Sequence, residues 1–164
     1  MRRYSLFLIS AFVFVLDQVT KKLIEKNLPY GQEIEYLPFF SLVHVKNYGG
    51  AFSLLSGSEY SFIVFTLLPL LVVGTIFFLL IKGNLVLSQR VALLLILGGA
   101  LGNLYDRITK GYVLDFLDFH YRGFHWPAFN VADTGITAGV ILFLLRELSW
   151  SLAWTTKQEK KKEN

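Results

Sequence analysis

Residues 61–81, SFIVFTLLPLLVVGTIFFLLI, run for 21 positions without a charge. As an α-helix this stretch is about 30 Å long, the thickness of a bilayer's hydrocarbon core. A helix apolar on every face has nothing to show to water, so the run predicts a membrane span. Three further segments read the same way, each with polar residues near one end: about 4–24, 91–107 and 132–154. The first follows Arg2 and Arg3 and has the basic start of a signal peptide, but no small-x-small cleavage site follows. The run continues as DQVTKKLIEK, which favours an uncleaved first span. The expected fold is an all-α membrane protein with a small β element. Four transmembrane helices and a small extracytoplasmic antiparallel sheet would make one domain over residues 1–156.

The chain has no cysteine, which removes disulfides, iron–sulfur clusters, cysteine nucleophiles and cysteine zinc ligands. The net charge of +4 is matched by four lysines of the tail, Lys157, Lys160, Lys161 and Lys162. No basic stripe interleaved with aromatics remains, so no nucleic-acid partner is expected. The tail, 157–164, is too polar to pack and is expected to be disordered and cytoplasmic. Lys and Arg placement favours both termini in the cytoplasm. The polar segments 27–60 and 108–131 would then lie together outside.

Asp17 and Lys21 stand four apart in the first span, the spacing of a helical ion pair. In 27–60, SLVHVK alternates as a strand does, with Gly49-Gly50 as a turn signal. His44 reads as an ordinary strand residue. Asn47 is either a turn former or a ligand contact beside glycines that permit close approach. Gly98, Gly99 and Gly102 place small residues on adjacent turns and admit a close neighbour, whether a helix or a substrate. Asn103 and Arg107 share a helix face. Asp106 reads as a surface charge paired with Arg107, while Arg107 is free to hold a carbonyl or a carboxylate. Arg146 and Glu147 pair or snorkel, with Trp150 and Trp154 as interface anchors.

The chemistry concentrates in 111–136, which holds Asp115, Asp118, Asp133, His120 and His125. Acids at a membrane surface are functional candidates because their desolvation has to be offset. Asp115 and Asp133 are eighteen residues apart, and Gly123 and Pro127 allow the segment between them to fold back. Two close carboxylates share one proton. The ionised member accepts a proton from water, and the protonated one donates to a carbonyl oxygen or a leaving amine. Asp133 serves equally well as a cap on the fourth helix, and spacing alone leaves both roles open. A metallohydrolase built on His120 and His125 lacks an H-E-x-x-H motif, the two histidines being five apart. An ion carrier using Asp17, Asp133 and Arg107 would need polar groups at mid-span.

Five motifs in order change the weighting: DQVTK at 17–21, Asn47-Tyr48-Gly49-Gly50-Ala51-Phe52, GGALGNLYDR at 98–107, G-x-V-x-D-F at 111–116 and FNVAD at 129–133. Together they resemble the lipoprotein signal peptidases (signal peptidase II) over nearly the whole chain. The resemblance implies a metal-independent aspartic endopeptidase of the bacterial cytoplasmic membrane, without a cofactor and expected to be a monomer. It would remove the signal peptide from diacylglyceryl-modified prolipoproteins, cutting before the lipidated cysteine. By motif position, Asp115 and Asp133 are the catalytic pair. Asn47, Gly49, Asn103, Arg107 and Asn130 bind substrate or orient the pair, and Asp17 and Lys21 give structural support. Asp118 falls outside the pattern and reads as a loop acid.

Overall fold

The structure, a computed structural model, describes residues 3–49 and 60–163. A 3-10 turn, Arg3–Phe7, leads into helix α1, Leu8–Asn27. Strands β1 (Glu33–Leu37) and β2 (Phe40–Asn47) follow. Helices α2 (Ser61–Lys82) and α3 (Leu87–Lys110) come next. Strands β3 (Val113–Tyr121) and β4 (Phe124–His125) precede the last helix, α4 (Val131–Glu163). Residues Gly50, Ala51 and Phe52 of the second motif lie outside the described residues.

Helix α3 is the centre, packed against α1, α2 and α4. Its glycines are why the helices sit so close. A Cβ on Gly99 would strike the Ala132 carbonyl of α4, and one on Gly98 would lie 2.6 Å from the Ser10 carbonyl of α1. The close neighbour admitted by GGALG is therefore another helix on each side. Ser10 Oγ donates to the Leu94 carbonyl at 2.7 Å across the α1–α3 contact. Leu93, Leu94 and Leu97 of α3 form a core with Ile76 and Leu80 of α2.

Among the described residues two helices, over Ile63–Lys82 and Leu87–Lys110, are long and apolar enough to cross a membrane. Most of α2 is exposed, as a lipid-facing helix would be. Helix α1 falls short of that composition because Asp17, Lys21, Lys22 and Glu25 interrupt it. The first and last of these helices thus read as spans from sequence pattern alone. Helix α4 also differs from expectation at its far end. It continues through the basic tail to Glu163, where disorder was expected; the tail's Lys, Glu and Gln are all good helix formers.

The sheet is a single antiparallel set in the order β1-β2-β3-β4. It draws on both polar segments, whereas alternation had pointed only to the first. Val45 pairs with Asp115 and Ser41 with Asp118, so Asp118 is a strand residue and not a loop acid. Strand β3 turns into β4 through Arg122 (φ 49°) and Gly123 (φ 83°), left-handed positions that suit a tight hairpin. Helix α3 ends at Gly111, whose φ of 79° permits its N–H to bond the Arg107 carbonyl at 3.0 Å. A second core, Ile24, Leu28, Leu114 and Phe116, fixes the sheet to the end of α1.

Candidate active site

The close of α3 and the start of α4 bring two motifs face to face. Asn130 caps α4: its Oδ1 accepts from the Asp133 N–H at 2.9 Å, and Asp133 Oδ2 accepts from the Asn130 N–H at 3.2 Å. This reciprocal pair is a capping box, so Asp133 does cap its helix. It does so with one oxygen. The other, Oδ1, accepts from Asn103 Nδ2 at 2.7 Å.

Asp115 arrives from the sheet. Backbone bonds from Phe116 and Leu117 to the Phe129 carbonyl, at 3.0 and 2.8 Å, stitch β3 to the segment just before α4. Asp115 Oδ1 accepts from Asn130 Nδ2 at 2.7 Å, and Oδ2 accepts from Asn47 Nδ2 at 2.9 Å. Asn130, fully buried, thus holds both acids at once. Asn103 Oδ1 accepts from Asn130 Nδ2 at 3.2 Å and from Lys21 Nζ at 3.0 Å. These bonds fix both amide orientations, since each oxygen faces donors and each nitrogen faces acceptors.

Asn47, Asn103, Arg107, Asp115 and Asp133 line one cavity of about 750 Å³, completed by apolar groups such as Phe129 and Ile141. Asn103 and Arg107 do face the same way. Arg107, however, is occupied: Nη2 donates to the Gly49 carbonyl at 3.1 Å. Gly49 also donates its N–H to Asn47 Oδ1 at 3.0 Å. The Asn47–Gly49 turn is thus clamped over the two aspartates from α3. Burial, and then the charge of Asp133, push the Asp115 carboxyl up to about 7. The amides of Asn47 and Asn130 hold it partly down.

A second polar cluster lies behind this wall. Lys21 Nζ is 2.8 Å from Asp17 Oδ2 and 2.9 Å from Asp106 Oδ2, and all three side chains are fully buried. Asp17 Oδ1 accepts from the Ala132 N–H at 2.9 Å, the first turn of α4. Asp106 is therefore no surface charge beside Arg107. It points the other way, into the bundle, because a helix face is shared by positions three and four apart, not by neighbours. Sequence reasoning missed it; its place in the GGALGNLYDR motif was the signal available. Asp118 accepts from or donates to His125 Nδ1 at 2.8 Å and stands outside the cavity. His44 is buried in β2 with Nδ1 2.7 Å from the Leu28 carbonyl, a strand residue as its alternation indicated.

Two solved bacterial membrane enzymes, both determined by the in meso method, share this architecture. Their TM-scores are 0.79 and 0.76, each at 35% identity and over 88% of this chain, covering 88% and 92% of theirs. With its long lipid-suited helices, the protein is a membrane enzyme of that class. A family model for signal peptidase (SPase) II matches residues 9–149. The lipoprotein signal peptidase of Francisella tularensis subsp. novicida is 40% identical over 147 residues, 87% of this chain and 90% of that protein. That of Serratia marcescens is 42% identical over 150 residues, 88% of this chain and 85% of the relative. That of Paraburkholderia phytofirmans is 44% identical over 141 residues, 85% and 82%. The chain belongs to the signal peptidase II family, and it is a peptidase.

Proposed function

We propose that the protein removes signal peptides from diacylglyceryl-modified prolipoproteins, cutting before the lipidated cysteine, with Asp115 and Asp133 activating the attacking water. The observation that carries the proposal is the shared anchor: Asn130 bonds Asp115 through Nδ2 and Asp133 through its backbone and Oδ1. Both acids line the same cavity, and neither forms an ion pair with a described lysine or arginine. Their proton inventory stays available for chemistry.

At neutral pH the pair holds one proton between them, titrating as a unit. The ionised carboxylate takes a proton from water as its oxygen attacks the scissile carbonyl carbon. The protonated carboxyl hydrogen-bonds the carbonyl oxygen and stabilises the charge that develops there. Collapse of the tetrahedral intermediate breaks the C–N bond, and a carboxyl proton passes to the leaving amine of the cysteine. No step requires a metal ion or a cofactor. Asn47, Asn103 and Asn130 keep the carboxylates oriented, and Arg107 holds the Gly49 carbonyl so that the Asn47 turn stays over the site.

All four helices act as spans in this proposal, with both termini cytoplasmic and the sheet at the extracytoplasmic surface. Of the charges that interrupt α1, Asp17 and Lys21 are buried against α3, while Lys22 is exposed and Glu25 pairs with Lys110 in the last two turns of the helix. The apolar cavity wall from Phe129 to Ile141 meets the acyl chains and the signal helix, while the aspartates meet the peptide bond. In this proposal the protein works as a monomer. Purified enzyme should cleave a diacylglyceryl precursor, with no effect of a chelator, and should leave the unlipidated precursor uncut. Equal cleavage of both precursors would remove the lipid from the specificity.

A further inference from the structure

Away from the cavity, ligating side chains from two strands of the sheet gather at a second place. Glu33 of β1 and Asp118 and His120 of β3 each offer one donor atom, and these atoms lie within 4.8 Å of one another. The register puts the three on one face. Ser41 of β2 pairs with Asp118 on one side and Glu35 on the other. Residues two apart on a strand share a face, so Glu33, Asp118 and His120 all lie on the face of Ser41. None of the three lines the cavity that holds Asp115 and Asp133.

Among the described residues, imidazole is the basic group that meets the carboxylates at this place. Asp118 is only 5% exposed, and among the described residues neither it nor Glu33 forms an ion pair with a lysine or arginine. A buried carboxylate needs a cation or its proton. The neighbouring groups are imidazoles: His125 Nδ1 lies 2.8 Å from Asp118 Oδ2, and the His120 and His125 rings stack at 5.0 Å. Ser41 Oγ meets His120 Nε2 at 3.0 Å and sets the angle of that ring. Such outer hydrogen bonds on a carboxylate and an imidazole are what orients metal ligands.

We propose that Glu33, Asp118 and His120 bind a divalent cation of the zinc class, with His125 and Ser41 orienting the ligands. Two carboxylates and an imidazole suit zinc better than magnesium or calcium, which take oxygen donors alone. Zinc bonds of about 2.0–2.2 Å set tetrahedral donors about 3.4 Å apart, and a rotamer change of exposed Glu33 closes the difference. The bound cation ties β1 to β3 across β2. It braces the strand that carries Asp115 and takes no part in peptide hydrolysis.

The test uses the full chain, without a histidine tag, in detergent micelles after chelator treatment. Calorimetric titration with zinc chloride should show one ion per chain and a raised thermal unfolding midpoint. Glu33→Gln, an exposed change that cannot threaten the fold, should weaken zinc at least about tenfold. His120→Ala should do the same and should abolish the shift in midpoint. Asp115→Asn should bind zinc as the wild type does. Absence of saturable zinc binding would overturn the proposal, as would wild-type affinity in Glu33→Gln and His120→Ala. Loss of binding in Asp115→Asn would place the ion at the cavity instead, and magnesium binding as tightly as zinc would remove the imidazole from the site. Either result also contradicts it.

Discussion

Two acid pairs lie back to back in this protein, separated by little more than Asn103, and they have opposite fates. Asp17 and Asp106 enclose Lys21, and all three are fully buried. Every proton of that ammonium has an acceptor, the third being Asn103 Oδ1 at 3.0 Å. Asp115 and Asp133 face amides and a cavity, with no lysine between them. An acid saturated by a lysine is engaged and joins helices. An acid held by neutral amides beside a like charge keeps a proton within reach near neutral pH. In the proposed mechanism the partner, and not the burial, separates a fastener from a reagent.

Removing the fastener should have the largest effect. Lys21→Met leaves buried Asp17 without a cation and Asp106 with Lys110 alone, at 3.3 Å, and is expected to destabilise the fold by about 3–5 kcal/mol, read as a lower unfolding midpoint in detergent. Replacing the whole cluster with Asp17→Asn, Lys21→Met and Asp106→Asn should recover much of that loss; if it recovers none, the triad is more than charge compensation. A smaller change is expected on the reactive side. Asn47→Ala removes the hydrogen bonds to Asp115 and from the Gly49 N–H, and kcat should fall about tenfold with the midpoint lowered only by the loss of those bonds. An unchanged kcat would take Asn47 out of the orienting set.

A third effect is a titration. With the Asp115 carboxyl raised to about 7, the folded state holds a proton that the unfolded chain releases near 4. Stability therefore falls as pH rises from about 4 to about 7 and then levels. Cleavage should decline above about 7 as the shared proton leaves. Asp115→Asn should lose the stability slope. A pH-stability curve that keeps its slope in this variant would assign the slope to another group.

Much of this was legible beforehand, for identifiable reasons. The uncharged run at 61–81 declares its helix because nothing in it can face water. Asp115, Asp133 and Asn130 were marked by motif position, and the capping role of Asp133 was visible as an acid at the mouth of a helix. What pattern did not reveal depends on contacts distant in sequence. Asp106 is committed to Lys21 across 85 positions, and no local rule reports that. The strand at 113–121 alternates poorly because Val113, Leu114, Asp115 and Phe116 are all buried, so period-two reasoning passed over it. Arg107 was expected to hold an acid or a substrate; the carbonyl it holds belongs to a turn 58 residues away.

The most direct test of the central claim is single-turnover cleavage of a diacylglyceryl precursor by Asp115→Asn and by Asp133→Asn, each first shown to unfold at the wild-type midpoint or above. Both variants should be slower than wild type by at least about a hundredfold. A folded variant of either residue that cleaves within tenfold of the wild-type rate would contradict the pairing of these two aspartates as the site of hydrolysis.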